Sequence, residues 1–420
     1  MAEEIYQTLL EFNEQKKIME NKAINKLFNY ARYGITPKIN SSTYSEIYST
    51  IYDFVDRQLG KEILKYHNEK IEQIVIECYE NIKNLSGIEF IDSFILYNNR
   101  ISFIIYTMSR LFMYISTNHL KSAEDKSNNR IYNEDDISEF SMYIYKKYFF
   151  DKLQIKLFII LNEILIREER DDNMEYRSKI KSIMNIINYM DIIKPKIMRN
   201  KEHLFIWKET SKNESNPLSY QKKWFEYFKE ETIKYVKNKA ENDIKKYSVS
   251  EYIKNILKYI NEEYERQACY INNIFHNEIN NINNEYLIEN NIKKIIEQDT
   301  GVNFMLKNNK KEELYEIFEL TNLYPHYLDL LKTSFKDFIK ECGNELINDK
   351  ELLKDQKKFI QELINLKKEM DVFVIECFEN NKDFQNAENE EFRSLMKDIS
   401  PENSKDYDEF CLEIGLKIES

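Results

Sequence analysis

Glycine and proline are scarce in this chain, which contains 6 Gly and 5 Pro among its 420 residues. Average usage would supply roughly fifty of the two together. Hairpins, phosphate-binding loops and dinucleotide turns use these residues for backbone conformations that other residues adopt poorly. The shortage therefore favours long helices joined by short polar turns. A GC-poor coding bias is an alternative cause, so the helical fold also needs support from periodicity.

Apolar residues recur at helical spacing in several segments. The clearest run follows the i, i+3, i+4 pattern of one helix face and comprises Tyr44, Ile47, Tyr48, Ile51, Tyr52 and Val55. Thr43 with Glu46, and Ser248 with Glu251, have the spacing of a capping box, in which each side chain bonds the backbone N–H of the other residue. We expect an all-α fold with helices that begin at these two boxes.

Motifs that carry chemistry are missing from the sequence. The five histidines are scattered, and none has the i+4 partner typical of a helical metal site. Neither a phosphate loop, nor a dinucleotide-binding motif, nor a nucleophile elbow is present. The sequence therefore predicts a non-enzymatic protein without catalytic residues, cofactors or bound metal.

The charge and hydropathy patterns also limit the choice of partners. The net charge is −12 and no concentrated basic face is visible, which argues against nucleic acid as a partner. The most apolar run, Leu157–Ile166, is interrupted by Asn162 and Glu163 and is shorter than a membrane span. Five scattered cysteines fit a reducing compartment, and no signal peptide precedes the first helix. We expect a cytoplasmic or nuclear protein without a membrane partner.

An ordered set of motifs begins near residue 220. It comprises Tyr220, Trp224-Phe225-Glu226, Phe228, Thr232, Tyr235, Glu251-Tyr252-Ile253, Glu263, Arg266 and Tyr270. In order and spacing, these residues resemble the N-terminal region of the cullin family. Other stretches look like further cullin segments, namely residues 44–52, 104–112, 304–320, 378–384 and 403–407. The resemblance thus covers nearly the whole chain.

The resemblance implies an elongated, arc-shaped stack of three cullin repeats, each a five-helix bundle. We place the repeats at residues 1–148, 149–285 and 286–400, and the start of a linker at 401–420. In the family, a globular C-terminal domain follows, which holds a RING-box protein and the lysine that accepts a ubiquitin-like modifier. The sequence given stops where that domain would begin, so we expect either a fragment, which we favour, or a naturally short relative, with a RING-box partner only in a full-length form.

In cullins, an adaptor binds the first repeat against its second and fifth helices. Carried over by motif, the resemblance implies adaptor-binding residues Tyr44, Ser45 and Tyr48 on one helix and Ile104, Thr107, Met108 and Leu111 on the other. An apolar stripe is also typical of a core. We assign Tyr52 and the isoleucines of the tyrosine row to the core, and leave Tyr44 and Tyr48 open between core and interface.

The implied function is a non-catalytic scaffold arm of a multisubunit ubiquitin ligase. Such an arm would bind a Skp-type or BTB-domain adaptor and hold the substrate at a fixed distance from the catalytic module. The sequence does not choose between the two adaptor classes. The alternative is a helical tether or transport scaffold unrelated to ubiquitin.

Overall fold

The computed structural model describes residues 2–115, 137–192, 195–199, 205–209, 218–322 and 324–398, most of which are helical. The α-helices are α1 (Ala2–Met19), α2 (Asn25–Tyr33), α3 (Ser41–Asp56), α4 (Gly60–Ile82), α5 (Gly87–Leu111), α6 (Ile137–Tyr145), α7 (Asp151–Ile160), α8 (Arg167–Arg170), α9 (Arg177–Met190), α10 (Ser219–Lys246), α11 (Val249–Tyr270), α12 (His276–Asn283), α13 (Ile292–Glu297), α14 (Val302–Lys307), α15 (Lys311–Asn322), α16 (Pro325–Asn348), α17 (Gln356–Cys377) and α18 (Lys382–Asp398). The predicted helical fold is confirmed.

A single antiparallel hairpin is the exception within the described ranges. It consists of β1 (Pro195–Arg199) and β2 (Phe205–Glu209), in which Ile197 pairs with Trp207. Both of these side chains are buried. The sequence analysis did not predict these strands, because five residues are too short a run for alternation to be distinguished from helical periodicity.

Several α-helices are joined end to end by π-helical turns. Glu20–Ile24 links α1 to α2, while Lys146–Phe150 and Leu161–Ile166 link α6, α7 and α8 into one continuous helix. A further π segment, Asn284–Ile288, follows α12. The boundary predicted at residue 148 therefore lies inside a continuous helix.

The chain forms two compact units. Unit 1 comprises the described residues up to Glu231 together with Cys269–Ile271, and unit 2 comprises Thr232–Ala268 and the described residues from Asn272 onward. Since one unit has room for more than one repeat, this division does not test the three-repeat boundaries, which stay a prediction. The predicted linker at 401–420 lies outside the described residues.

Only one of the two predicted capping boxes forms. Ser248 and Glu251 cap α11 reciprocally, with Ser248 N donating to Glu251 Oε2 at 3.1 Å and Glu251 N to Ser248 Oγ at 3.4 Å. The start of α3 was predicted wrongly. Asn40 is the N-cap there, and its Oδ1 accepts hydrogen bonds from Thr43 N at 2.9 Å and Thr43 Oγ1 at 2.8 Å.

The first motif residues, Tyr220 to Phe228, lie in unit 1 at the start of α10. Asp191, which follows α9, accepts hydrogen bonds from the backbone N–H groups of Tyr220 at 2.9 Å and Gln221 at 3.0 Å. Trp224 is buried, and its Nε1 donates to Asn162 Oδ1 at 3.2 Å. These residues therefore position helices rather than form an exposed site.

Unit 2 contains buried ionic contacts. Arg266 Nε donates to Glu263 Oε2 at 2.8 Å within α11. Lys367 on α17 is also buried, and its Nζ donates to Glu388 Oε1 on α18 at 2.9 Å and to Asp371 Oδ1 at 2.6 Å. Such clusters favour one helix register, because a shift would leave charges buried without partners.

Candidate adaptor-binding surface

The inner face of α3 is set by three buried apolar side chains, Ile47, Ile51 and Phe54. Phe54 packs against Phe12 of α1, with ring centroids 5.1 Å apart. Because residues three and four apart share a helix face, this burial leaves the tyrosines of α3 along one edge of the buried face. The two isoleucines were predicted to lie in the core, and this is confirmed.

The outward side of α3 presents a row of tyrosines. Tyr48 is 37% exposed and Tyr52 is 49% exposed. The ring of Tyr114, shortly after the end of α5, lies edge-on to both, with centroids 5.7 Å from Tyr48 and 4.9 Å from Tyr52. Edge-to-face contacts hold the rings in place while leaving apolar area open to a partner.

Tyr44 lies at the buried edge of this row. A hydrogen bond links its hydroxyl to Thr107 of α5, and burial raises the pKa of Tyr44, an effect that the positive charge of Arg110 and the bond to Thr107 oppose. The neighbouring Ser45 is exposed. Tyr44 therefore joins α3 to α5 and presents only part of its ring to solvent.

The α5 part of the predicted surface needs correction. The side chains of Ile104, Thr107, Met108 and Leu111 are all buried. They belong to the inward stripe of α5, and Thr107 Oγ1 donates back to Phe103 O at 2.9 Å. In this conformation they support the surface from within, and the area open to a partner comes from the tyrosines.

A buried histidine lies close to the end of α5. The ring centroid of His67 on α4 is 5.1 Å from that of Phe112, and its Nδ1 is 2.9 Å from Asn68 Oδ1. Burial lowers the pKa of His67 to about 4. The imidazole is therefore neutral at pH 7 and acts as part of the core.

Charged residues flank the tyrosine row. Glu46 of α3 pairs with Lys22, and Arg110 donates to the Tyr106 hydroxyl at 3.3 Å. Met113, which is exposed, adds apolar area beside Tyr114. An apolar centre with a charged margin is the usual composition of a protein-binding surface.

The sequence analysis missed Tyr114 and Met113 and assigned Tyr52 wrongly to the core. The six-residue stripe on α3 is wider than the strip that a neighbouring helix covers, so its tyrosines lie at the edge of the buried face. Tyr114 precedes a polar segment that carries no helical pattern. Its i+3 relation to Leu111 was the signal that could have identified it.

The described residues contain no cluster of three or more His, Cys, Asp or Glu side chains able to hold a metal ion. Within the same residues, each helix falls short of the length or the hydropathy of a membrane span. The arrangement on α3 and after α5 is chemically suited to contact with another protein.

The chain is similar to several named cullins. It is 25% identical to Cullin-3B of Arabidopsis thaliana over 257 residues, which cover 59% of this chain and 34% of that protein. It is 26% identical to Cullin-3 of Dictyostelium discoideum over 173 residues, 40% of this chain and 22% of that protein. With Cullin-5 of Dictyostelium discoideum it shares 22% identity over 377 residues, 88% of this chain and 46% of that protein.

These matches cover less than half of each relative's own length. The family model described as the cullin alpha solenoid domain matches residues 20–411, which is most of the chain. The ordered motifs, the helical fold and this match agree, and the chain belongs to the cullin family.

Proposed function

We propose that the chain is the adaptor-binding scaffold arm of a cullin-RING ubiquitin ligase. The observation that carries the proposal is the exposed tyrosine row on α3, completed by Tyr114, at the position where cullins bind their adaptor. Rings already fixed by edge contacts lose little side-chain entropy on binding, which suits them to anchor a partner. Its role is to bind and hold, without a catalytic step of its own.

We further propose that the adaptor is a BTB-domain protein rather than a Skp-type one. The support is that relatives from a plant and from Dictyostelium discoideum carry the name Cullin-3. Tyr48 and Tyr52 would insert between apolar side chains of the adaptor, while Arg110 at the margin would steer its orientation. A RING-box protein would join only through a C-terminal domain of the family type.

The binding test compares two double variants whose side chains are all substantially exposed. Tyr48→Ala with Tyr52→Ala removes the centre of the row, and Leu257→Ala with Tyr264→Ala removes exposed apolar area from α11. Calorimetry with a purified BTB-domain adaptor and a Skp-type adaptor is expected to show BTB binding that weakens at least about tenfold only in the first variant. Equal affinity of the first variant and the unaltered chain would refute the surface assignment.

Tyr44→Ala is a less clean probe, since it also breaks the bond to Thr107. We expect Tyr44→Ala with Tyr48→Ala to weaken adaptor binding and to retain helical circular dichroism. Loss of that signal would show that the pair is part of the core. Binding of a Skp-type adaptor alone would refute the choice of adaptor class but not the scaffold function.

The scaffold is proposed to act by fixing the distance from substrate to catalytic module. Residue 286 lies in the π segment Asn284–Ile288, within a nearly continuous helical stretch from α12 to α13. A flexible Gly/Ser insert at this position in a full-length form should reduce ubiquitin transfer while adaptor binding stays intact. Unchanged transfer with the insert would contradict a fixed spacing.

A further inference from the structure

Helix α7 presents four side chains that alternate between lysine and isoleucine along one face. These residues, Lys152, Ile155, Lys156 and Ile159, have the spacing i, i+3, i+4 and i+7 and are called here the Lys–Ile face. Ile155 is 53% exposed and Ile159 is 38% exposed. Side chains four residues apart are helix neighbours, so the two isoleucines form one apolar strip and the two lysines form a parallel row along one edge of it.

Aromatic rings hold the lysines of this face in place. Lys152 Nζ lies 4.7 Å from the ring centroid of Tyr79 and 5.5 Å from that of Tyr148. Lys156 Nζ lies 4.8 Å from the centroid of Phe90 and donates to Lys83 O at 3.0 Å. Cation–π contacts of this kind attract the ammonium group without neutralising its charge. The positive charges are therefore fixed in position before any partner arrives.

The charge of the face is not balanced locally. Among the residues that the structure describes, neither Lys152 nor Lys156 has a carboxylate oxygen within 4 Å. Acidic side chains on the same elements are engaged elsewhere: Glu80 pairs with Lys83, and Asp151 accepts from the Tyr220 hydroxyl. A chain of net charge −12 thus carries here a small positive surface around exposed apolar area.

A similar pattern on α11 shows the same spacing with its lysine charges paired to carboxylates. Lys254, Leu257 and Lys258 repeat the i, i+3, i+4 spacing, and Leu257 is exposed. There, Lys254 Nζ is 3.9 Å from Glu316 Oε1, and Lys258 Nζ is 3.6 Å from Glu262 Oε1. The α11 lysines have carboxylate partners within the chain, whereas those of the Lys–Ile face have no such partner among the described residues.

A protein helix fits this face better than a lipid surface or nucleic acid. Phosphate polyanions could pair with the lysines but would leave the isoleucine strip without an apolar partner. Screening over about 8 Å at physiological salt allows the local positive charge to act only on groups in close contact. An amphipathic helix satisfies both requirements, since it carries carboxylates and apolar side chains on one face.

We propose that the Lys–Ile face binds an acidic amphipathic helix of a partner protein. Apolar side chains four residues apart on that helix pack against Ile155 and Ile159, and carboxylates beside them pair with Lys152 and Lys156. The face shares no residue with the tyrosine row, so it is a site distinct from the proposed adaptor-binding surface.

The test uses a fluorescein-labelled helical peptide with two leucines four residues apart, flanked on the same face by glutamates. Its binding to the full chain is followed by fluorescence anisotropy. Charge reversal in Lys152→Glu with Lys156→Glu is expected to weaken binding at least about tenfold. The matched reversal on α11, Lys254→Glu with Lys258→Glu, is expected to leave it within about twofold.

A charge-swapped peptide, with lysines in place of the glutamates, should bind the Lys152→Glu, Lys156→Glu variant better than the unaltered chain. Ile155→Ser with Ile159→Ser should weaken both pairings, and circular dichroism should show all variants equally helical. Equal losses from the α7 and α11 reversals would overturn the proposal, because they would indicate only bulk charge. Binding of duplex DNA or phosphatidylserine vesicles through Lys152 and Lys156, with no binding of the acidic peptide, would also overturn it.

Discussion

His67 in unit 1 and Lys367 in unit 2 are both buried basic side chains, but their surroundings differ. His67 is neutral, lies against Phe112 and has one polar contact, with Asn68. Lys367 of α17 donates to two carboxylates, Asp371 one turn further along α17 and Glu388 on α18. His67 avoids the free-energy cost of a buried charge by staying unprotonated. The buried charge of Lys367 is compensated by its carboxylate partners.

This difference shows that a buried polar group can specify structure in two ways. A neutral histidine tolerates its apolar surroundings over most of the pH range and fails only in acid. An ionic cluster depends on every partner, because the loss of one member leaves another buried group without its partner. The predictions below test the two descriptions, beginning with the largest expected effect.

Lys367→Met should destabilise the chain by about 3–5 kcal/mol at pH 8, since Glu388 then remains buried without its ammonium partner. Urea unfolding followed by circular dichroism measures the loss. Adding Glu388→Leu should recover most of it, because the buried charge is gone. A loss below about 1 kcal/mol for the single variant would show that the cluster is hydrated rather than buried.

His67 should make unit 1 sensitive to acid. Its pKa is lowered from 6.5 to about 4, so between these values the unfolded chain binds a proton that the folded chain does not. Stability from this group is therefore complete above about pH 6.5 and falls by up to about 3 kcal/mol as the pH approaches 4. The urea-unfolding free energy of His67→Leu should lack this pH-dependent loss. Parallel plots of unfolding free energy against pH for the variant and the unaltered chain would contradict the prediction.

Glu388 should have an effect of the opposite sign. Burial raises its pKa from 4.5 to about 7, against the opposing effect of the Lys367 ammonium group. Between these values the folded state binds the extra proton, so this contribution to stability increases as the pH falls from about 7 to 4.5. We expect the unfolding free energy to rise over this range by about 1–2 kcal/mol more than that of Glu388→Gln. Equal slopes of unfolding free energy against pH for the two proteins would refute the prediction.

The exposed N-cap residue Asn40 provides a smaller stability effect with which both buried sites can be compared. Asn40→Ala removes the acceptor for Thr43 N at the start of α3 and should cost about 1 kcal/mol. Because Asn40 does not titrate, its effect should be equal at pH 5 and pH 8. Asn40→Ser, which retains an acceptor, should restore most of the stability, and a failure to do so would point to a different role for Asn40.

The sequence correctly predicted the structural features that depend only on residues close together along the chain. The helical fold, the capping box at Ser248 and the inward isoleucines of α3 follow from local spacing. The cap at Asn40 was missed because Thr43 and Glu46 offered a second box three residues later. Burial of Ile104 and Met108, exposure of Tyr52 and the neutral state of His67 depend on which helix packs over them, and the spacing of one helix does not contain that information.

The adaptor-binding surface was predicted in part for the same reason. Motif resemblance identified Tyr44 and Tyr48, but it could not separate side chains that face outward from those that hold α5 in place. Tyr114 joins the row only through the tertiary contact with Tyr48 and Tyr52. The hairpin of β1 and β2 likewise depends on pairing between segments rather than on either segment alone.

The π-helical turns at Lys146–Phe150 and Leu161–Ile166 bear on how this chain is aligned with other proteins. A π turn accommodates about one residue more than an α turn, and that extra residue rotates everything after it by about 100° around the helix axis. Single-residue gaps should therefore fall at these two turns when related sequences are aligned. Removing Tyr148 would turn the Lys–Ile face toward a different neighbour without changing any of its residues.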